Sequence, residues 1–195
     1  MAFTLIYAGL KNVAVLDGGY PKWAAEGRQQ ETGTKGVAAL QAVPYKGTIN
    51  KGLLASREYT KSQVKKAGLL DARDADVYFG VTIEPFANKA GHIPSAKSLP
   101  APWIWDLKTA KANEKTSTYY TYKSKQTLGS MASGVFRHPP GKKAQEIIVY
   151  CGVGGYASSW WFVLTQVLGY ENAKIYDGAA QEWARHYDMV PYRWE

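Results

Sequence analysis

The chain has 195 residues, a formal net charge of +8, 46% hydrophobic and 13% aromatic residues. That apolar content over that length builds a proper core and excludes a disordered chain. One cysteine excludes an internal disulfide framework and a multi-cysteine zinc site, and no apolar run reaches the ~18 residues of a membrane span.

Residues 1–27 read as an apolar helix end from Ala2 to Leu10, a buried strand at Val13–Leu16 and a short helix over Tyr20–Ala25 carrying Trp23. Residues 1–24 repeat residues 161–184 at an offset of 160: Gly9 matches Gly169, Asn12 matches Asn172, Asp17-Gly18 matches Asp177-Gly178, and Trp23-Ala24 matches Trp183-Ala184. Duplication at a domain-sized spacing is the mark of a tandem protein, so residues 1–27 are expected to be the remnant of a first copy. Two helices and one strand cannot bury their own apolar faces. The expected cover is the second domain, a second copy of the chain, or a missing N-terminal part. Residues 28–50, with Gly33, Gly36, Pro44 and Gly47, have the composition of a linker, and a complete domain is expected over 51–195.

In that domain Thr60 is the expected N-cap of a helix running to Lys66, ended by Gly68, with a strand from Leu69. Asp71 at the strand's end is either a turn or cap residue or part of a site. Arg73 presents the paired donors that suit an oxyanion, against an ion pair with Asp74 or Asp76. His92 precedes Ile93-Pro94, where a structural hydrogen bond is expected in preference to catalysis, and His138 and His186 stand isolated. With Cys151 they lack metal-ligand spacing, so no metal or cofactor is expected. Pro100–Trp105 reads as a turn and Lys125–Ala132 as a short helix. Lys108, Lys111, Lys115, Lys123, Lys125, Arg137, Lys142 and Lys143 face only Glu114 between residues 108 and 143. They read as a solvated face that draws anionic substrates; no nucleic-acid partner is expected.

Ile147–Tyr150 is a short buried strand that delivers Cys151 to its C-terminal edge. Gly152, Val153, Gly154, Gly155, Tyr156 and Ala157 follow, then an almost continuously apolar run to Leu168 that reads as a buried helix from about Ala157. Gly152, Gly154 and Gly155 have access to positive φ, letting backbone N–H groups turn toward an anion or thiolate, and the helix dipole favours the thiolate. A nucleophilic Cys151 is therefore expected over a buried structural cysteine. Cysteine phosphatases place an arginine six residues after the nucleophile; here that position is Ala157.

This strand, Cys151, glycine loop and helix, followed by Tyr176-Asp177-Gly178 and Trp183, resembles the rhodanese family of thiosulfate and 3-mercaptopyruvate sulfurtransferases. Leu69-Leu70-Asp71-Ala72-Arg73 and Gly91-His92-Ile93-Pro94-Ser95-Ala96 look like two further motifs of that family. The resemblance implies an α/β, three-layer domain with a central parallel sheet flanked by helices, preceded by the remnant of a second copy. It also implies transfer of the sulfane sulfur of thiosulfate, a small anionic donor, through a persulfide on Cys151 to cyanide or a thiophilic acceptor, with 3-mercaptopyruvate as the alternative donor. Residues 152–157 would cradle the persulfide and Arg73 would hold a sulfonate, with Asp71 and His92 in support. Gly155 and Tyr156 depart from the family's loop patterns, which leaves thiosulfate and 3-mercaptopyruvate both open as donors. The alternative is a non-catalytic, partner-dependent sulfur carrier.

Overall fold

The computed structural model describes residues 1–33, 41, 43–112, 115–136 and 145–195. The chain opens with helix α1 (Ala2–Tyr7) and helix α2 (Gly19–Ala25). The stretch between them is not a strand, and Val15 and Leu16 lie exposed. Apolar character alone does not make a strand: its N–H and C=O groups need a neighbour to pair with, and no described segment pairs with it.

Helix α3 (Arg57–Ser62) is capped by Ser56, whose hydroxyl accepts from the Tyr59 N–H at 3.1 Å. Thr60, the expected cap, instead sits buried inside that helix and donates its hydroxyl back to the Ser56 carbonyl. The chain then lays down strand β1 (Gly68–Asp71), helix α4 (Ala75–Phe79) and the short strand β2 (Lys97–Ser98).

An antiparallel hairpin follows, β3 (Trp105–Ala112) with β4 (Lys115–Tyr122), which the sequence did not announce. Helix α5 (Lys125–Phe136) runs longer than expected. Strand β5 (Ile147–Tyr150), helix α6 (Gly155–Phe162), a π-helical turn at Val163–Val167, strand β6 (Ala173–Ile175) and helix α7 (Ala179–His186) complete the order. No described helix is long and apolar enough to cross a membrane.

The main sheet is parallel in the order β2-β1-β5-β6. Strand β5 is buried along its whole length, as a parallel strand covered on both faces must be. Alternation along β1 and β5 sends Leu70 and Val149 to one face, among Leu128, Trp160, Trp161 and Leu164. Leu69 and Ile148 go to the other, among Ile93, Tyr176 and Trp183. The result is the expected three-layer α/β arrangement, and it places Cys151 at the C-terminal edge of the sheet's centre.

The N-terminal segment packs on this domain. Phe3 meets Trp161 edge to face at 4.8 Å, and Asp17 accepts from the Tyr122 N–H at 2.8 Å. Residues 45–50 run back along α1, where Tyr45 donates to the Ala8 carbonyl and the Asn50 N–H to that of Tyr7. At the offset of 160 the aligned Gly18 and Gly178 differ in φ, at +86° and −57°, while the next pair agrees. Helices α2 and α7 begin at Gly19 and Ala179, both with φ of +57°. Phe3→Ala should lower the unfolding free energy by about 1–3 kcal/mol, less than a fully buried phenylalanine costs; an unchanged denaturation midpoint would mean that docking of α1 contributes nothing.

Candidate active site

Cys151 follows β5 directly and is 3% exposed. Its Sγ accepts the Gly154 N–H at 3.0 Å, so the loop folds back over the sulfur. Gly154 has φ of +96°, and a Cβ there would lie 2.8 Å from Asp177 Oδ1; the position is closed to other residues by conformation and by space. Gly152 does not have positive φ. It is required by proximity, since a Cβ would stand 2.5 Å from the Phe86 ring and 2.8 Å from Glu84 Oε1. Gly155 likewise lacks positive φ and opens α6, two residues earlier than expected.

Two forces act on the thiol in opposite directions. Burial pushes the Cys151 pKa up, and hydrogen bonds from the N–H groups of Ala157, Val153, Gly154 and Tyr156 pull it down. Burial wins, so the pKa lies above the ordinary thiol value and the expected net preference for the thiolate is not met in the unmodified protein. Beside the sulfur, Val153 and Tyr156 are exposed, at 56% and 40%, while Ala157 is fully buried.

Beneath the loop lies a buried polar cluster. Asp71 is fully buried at the end of β1 and accepts from Arg73 Nη2 at 2.6 Å, Arg73 Nε at 2.9 Å, the Arg73 N–H at 3.0 Å and the Tyr150 hydroxyl at 2.8 Å. Arg73, 2% exposed, also donates to the Gly91 carbonyl at 2.7 Å and stands 3.5 Å from Glu84 Oε2. Burial opposes its charge, but the Coulombic pull of Asp71 and the hydrogen bonds to it more than offset this, and the guanidinium stays protonated. The expected partners Asp74 and Asp76 are not used. Nor does Arg73 face solvent as a free oxyanion ligand: its donors are committed to Asp71, Gly91 and Glu84. Glu84 carries no sequence motif that would have marked it. Burial raises its carboxyl pKa against the lowering effect of Arg73.

His92 is buried and stacked on Tyr78 at 3.9 Å, with Nδ1 2.9 Å from the Tyr78 carbonyl. A carbonyl only accepts, so Nδ1 carries the proton. Backbone bonds in both directions tie His92 to Val190. These contacts match the structural role expected for it.

The comparisons with known proteins agree with this geometry. The family model described as "Rhodanese-like domain" matches residues 56–186. The chain belongs to that family. Among relatives, a Mycobacterium leprae protein named "Putative thiosulfate sulfurtransferase" is 32% identical over 179 residues, covering 88% of this chain and 58% of that protein. The "Sulfur carrier protein TtuD" of Thermus thermophilus is 34% identical over 190 residues, covering 91% and 60%. The rhodanese-like chain thus spans about three fifths of the length of these relatives. In fold it is similar to the wild-type structure of EanB, with a TM-score of 0.77 at 20% identity over 98% of this chain and 44% of that one.

Two outcomes follow for this cluster and loop. Arg73→Gln strands the buried Asp71 carboxylate and should cost about 3–5 kcal/mol of stability, as loss of one partner of a buried pair does; chemical denaturation measures it, and a small loss would show that Asp71 is satisfied without Arg73. Because the thiolate is the nucleophile, alkylation of Cys151 should keep accelerating as pH rises through about 9. A rate that levels off near pH 7 would contradict the raised thiol pKa.

Proposed function

We propose that this rhodanese-like domain transfers sulfane sulfur through a persulfide on Cys151. The observation that carries the reading is the loop itself: the single thiol of the chain stands at the C-terminal edge of β5, with the Gly154 N–H on its sulfur and α6 starting just beyond. In the first half-reaction the Cys151 thiolate attacks the outer sulfur of a thiosulfate-class donor. The donor's S–S bond breaks, and sulfite or a sulfinate leaves with the electron pair. Backbone N–H groups of residues 152–157 stabilise the resulting persulfide anion. An acceptor, cyanide or a thiolate, then takes the outer sulfur and returns Cys151 to its thiolate. The names of the mycobacterial and Thermus relatives support sulfur transfer or carriage.

Arg73 enters this proposal as a positioning residue that braces β1 and the Gly91–Ile93 turn, since its Nε and Nη2 are held by Asp71 and the Gly91 carbonyl and its Nη1 faces Glu84. Tyr156 walls the pocket. The repeat at an offset of 160 residues and the shared φ of Gly19 and Ala179 support the view that residues 1–27 are the tail of a first copy in a tandem arrangement. A carrier that hands its sulfur only to a partner protein is the second reading, favoured by the Thermus relative's name. 3-Mercaptopyruvate is the alternative donor.

Intact-mass measurement after exposure to thiosulfate should show the gain of one sulfur atom, removable by cyanide with release of thiocyanate and absent in Cys151→Ser. Sulfur gain that survives in Cys151→Ser would refute the assignment. A persulfide that cyanide cannot discharge would favour the carrier.

A further inference from the structure

The side chains around the Cys151 loop have the wrong sign for a doubly charged anion. Residues 152–157 contain no charged side chain. The first residue of the loop, Gly152, lies against Glu84 and Phe86, and Gly154 lies against Asp177. Two carboxylates thus flank the loop at its beginning and its middle. The guanidinium the structure places beside Glu84 is Arg73, already held by Asp71 at 2.6 Å, so one cation serves two acids. What remains at the rim is apolar or aromatic: Val153 and Tyr156 are exposed, and Phe86 is half-buried.

We propose that Glu84 and Asp177 set the charge selectivity of this pocket, so that a monoanionic sulfane donor with an apolar or aromatic body, a thiosulfonate, is preferred over dianionic thiosulfate. This rests on the persulfide reading above and goes on to name the donor class. The backbone N–H groups of the loop supply partial positive charge enough for one anionic terminus. A second negative charge on the donor finds no free cation among the described residues of the loop and its flanks, and meets two carboxylates instead. A thiosulfonate keeps the reactive terminal sulfur, spreads one charge over that end, and offers its organic group to Phe86, Val153 and Tyr156. The chemistry balances as for thiosulfate. The Cys151 thiolate bonds to the outer sulfur, the donor's S–S bond breaks, and a sulfinate departs with the electron pair, leaving one persulfide anion and one sulfinate anion.

The test compares kcat/KM for thiosulfate and for benzenethiosulfonate, with cyanide as common acceptor, in the natural chain, Glu84→Gln and Asp177→Asn. Both changes remove charge while keeping shape, and Asp177 is exposed, so its variant does not depend on the buried cluster. The natural chain should favour benzenethiosulfonate by about 10-fold or more, the scale of one additional charge near a carboxylate at partial exposure. Each variant should raise kcat/KM for thiosulfate several-fold more than for benzenethiosulfonate, and added salt should narrow the preference in the natural chain. Equal or better use of thiosulfate by the natural chain would overturn the proposal. So would variants that lower both donors alike, which would make Glu84 and Asp177 structural. A chain that forms no persulfide from either donor would instead remove the sulfur-transfer reading and this selectivity with it, an outcome that the mass measurement separates from a mere change in preference.

Discussion

The strand end that carries Cys151 is fixed through one buried carboxylate. Asp71 closes β1, and its oxygens gather Arg73 and the Tyr150 hydroxyl. Tyr150 is the residue before the cysteine, and its hydroxyl also accepts the Ile93 N–H at 3.0 Å. Arg73 reaches in turn to the Gly91 carbonyl. Three pieces of chain are therefore fixed to one point: the end of β1, the end of β5 and the turn at 91–93. An isolated buried carboxylate would be prohibitively costly. The four donors on Asp71, one of them a guanidinium with two nitrogens engaged, are what make it tolerable. The arrangement also spends the positive charge of Arg73 on structure, which leaves little of it for a ligand.

The consequence for the sulfur is geometric before it is electronic. With Tyr150 clamped, the backbone leaves β5 at a set angle and must turn at once, because Phe86 and Glu84 close the space beside Gly152 and Asp177 closes that beside Gly154. Trp161 then pins α6 to the sheet by donating its indole N–H to the Ala173 carbonyl at 2.9 Å. The loop is held at both ends, so its N–H groups stay directed at Sγ without ordering at the moment of reaction, the condition under which such donors are most effective. In the resting thiol burial outweighs that benefit, and the pKa stays above the ordinary value.

How far the sequence makes this legible varies with how local the deciding contacts are. The β5, Cys151 and α6 unit is legible because an unbroken apolar run, a glycine cluster and a second apolar run each specify their own conformation. The cap of α3 is ambiguous because Ser56 and Thr60 are both capping residues four positions apart. The choice falls to whichever hydroxyl meets a free N–H. Val13–Leu16 has the composition of a strand without a partner to pair with. The β3–β4 hairpin is hidden because its lysines and its exposed Leu107 and Tyr120 show no apolar face. The ladder, the paired Trp105 and Tyr122 rings packed on the core, and the Asp17 carboxylate on the Tyr122 N–H hold it in place. The site's acidic members are the least legible. Glu84 reaches Arg73 across eleven positions, whereas the acids adjacent in sequence, Asp74 and Asp76, do not.

The same separation between long-range and local effects governs the electrostatics. The chain carries +8 overall, and the basic residues of 108–143 have the composition of an attracting field. Among those whose side chains are described, Lys108 and Lys123 both pair with Asp106, just outside that span, which leaves them partly neutralised; the side chains of Lys111, Lys115, Arg137, Lys142 and Lys143 lie outside the described residues. A net positive charge raises the local concentration of every small anion, singly or doubly charged, and falls off within about one Debye length of ~8 Å at physiological salt. It brings donors to the surface without sorting them. Sorting requires charges in contact with the bound molecule, and at the cysteine loop those are Glu84 and Asp177. A basic chain with an acidic pocket rim is therefore consistent physics: the two act at different distances, and only the nearer one distinguishes one anion from another.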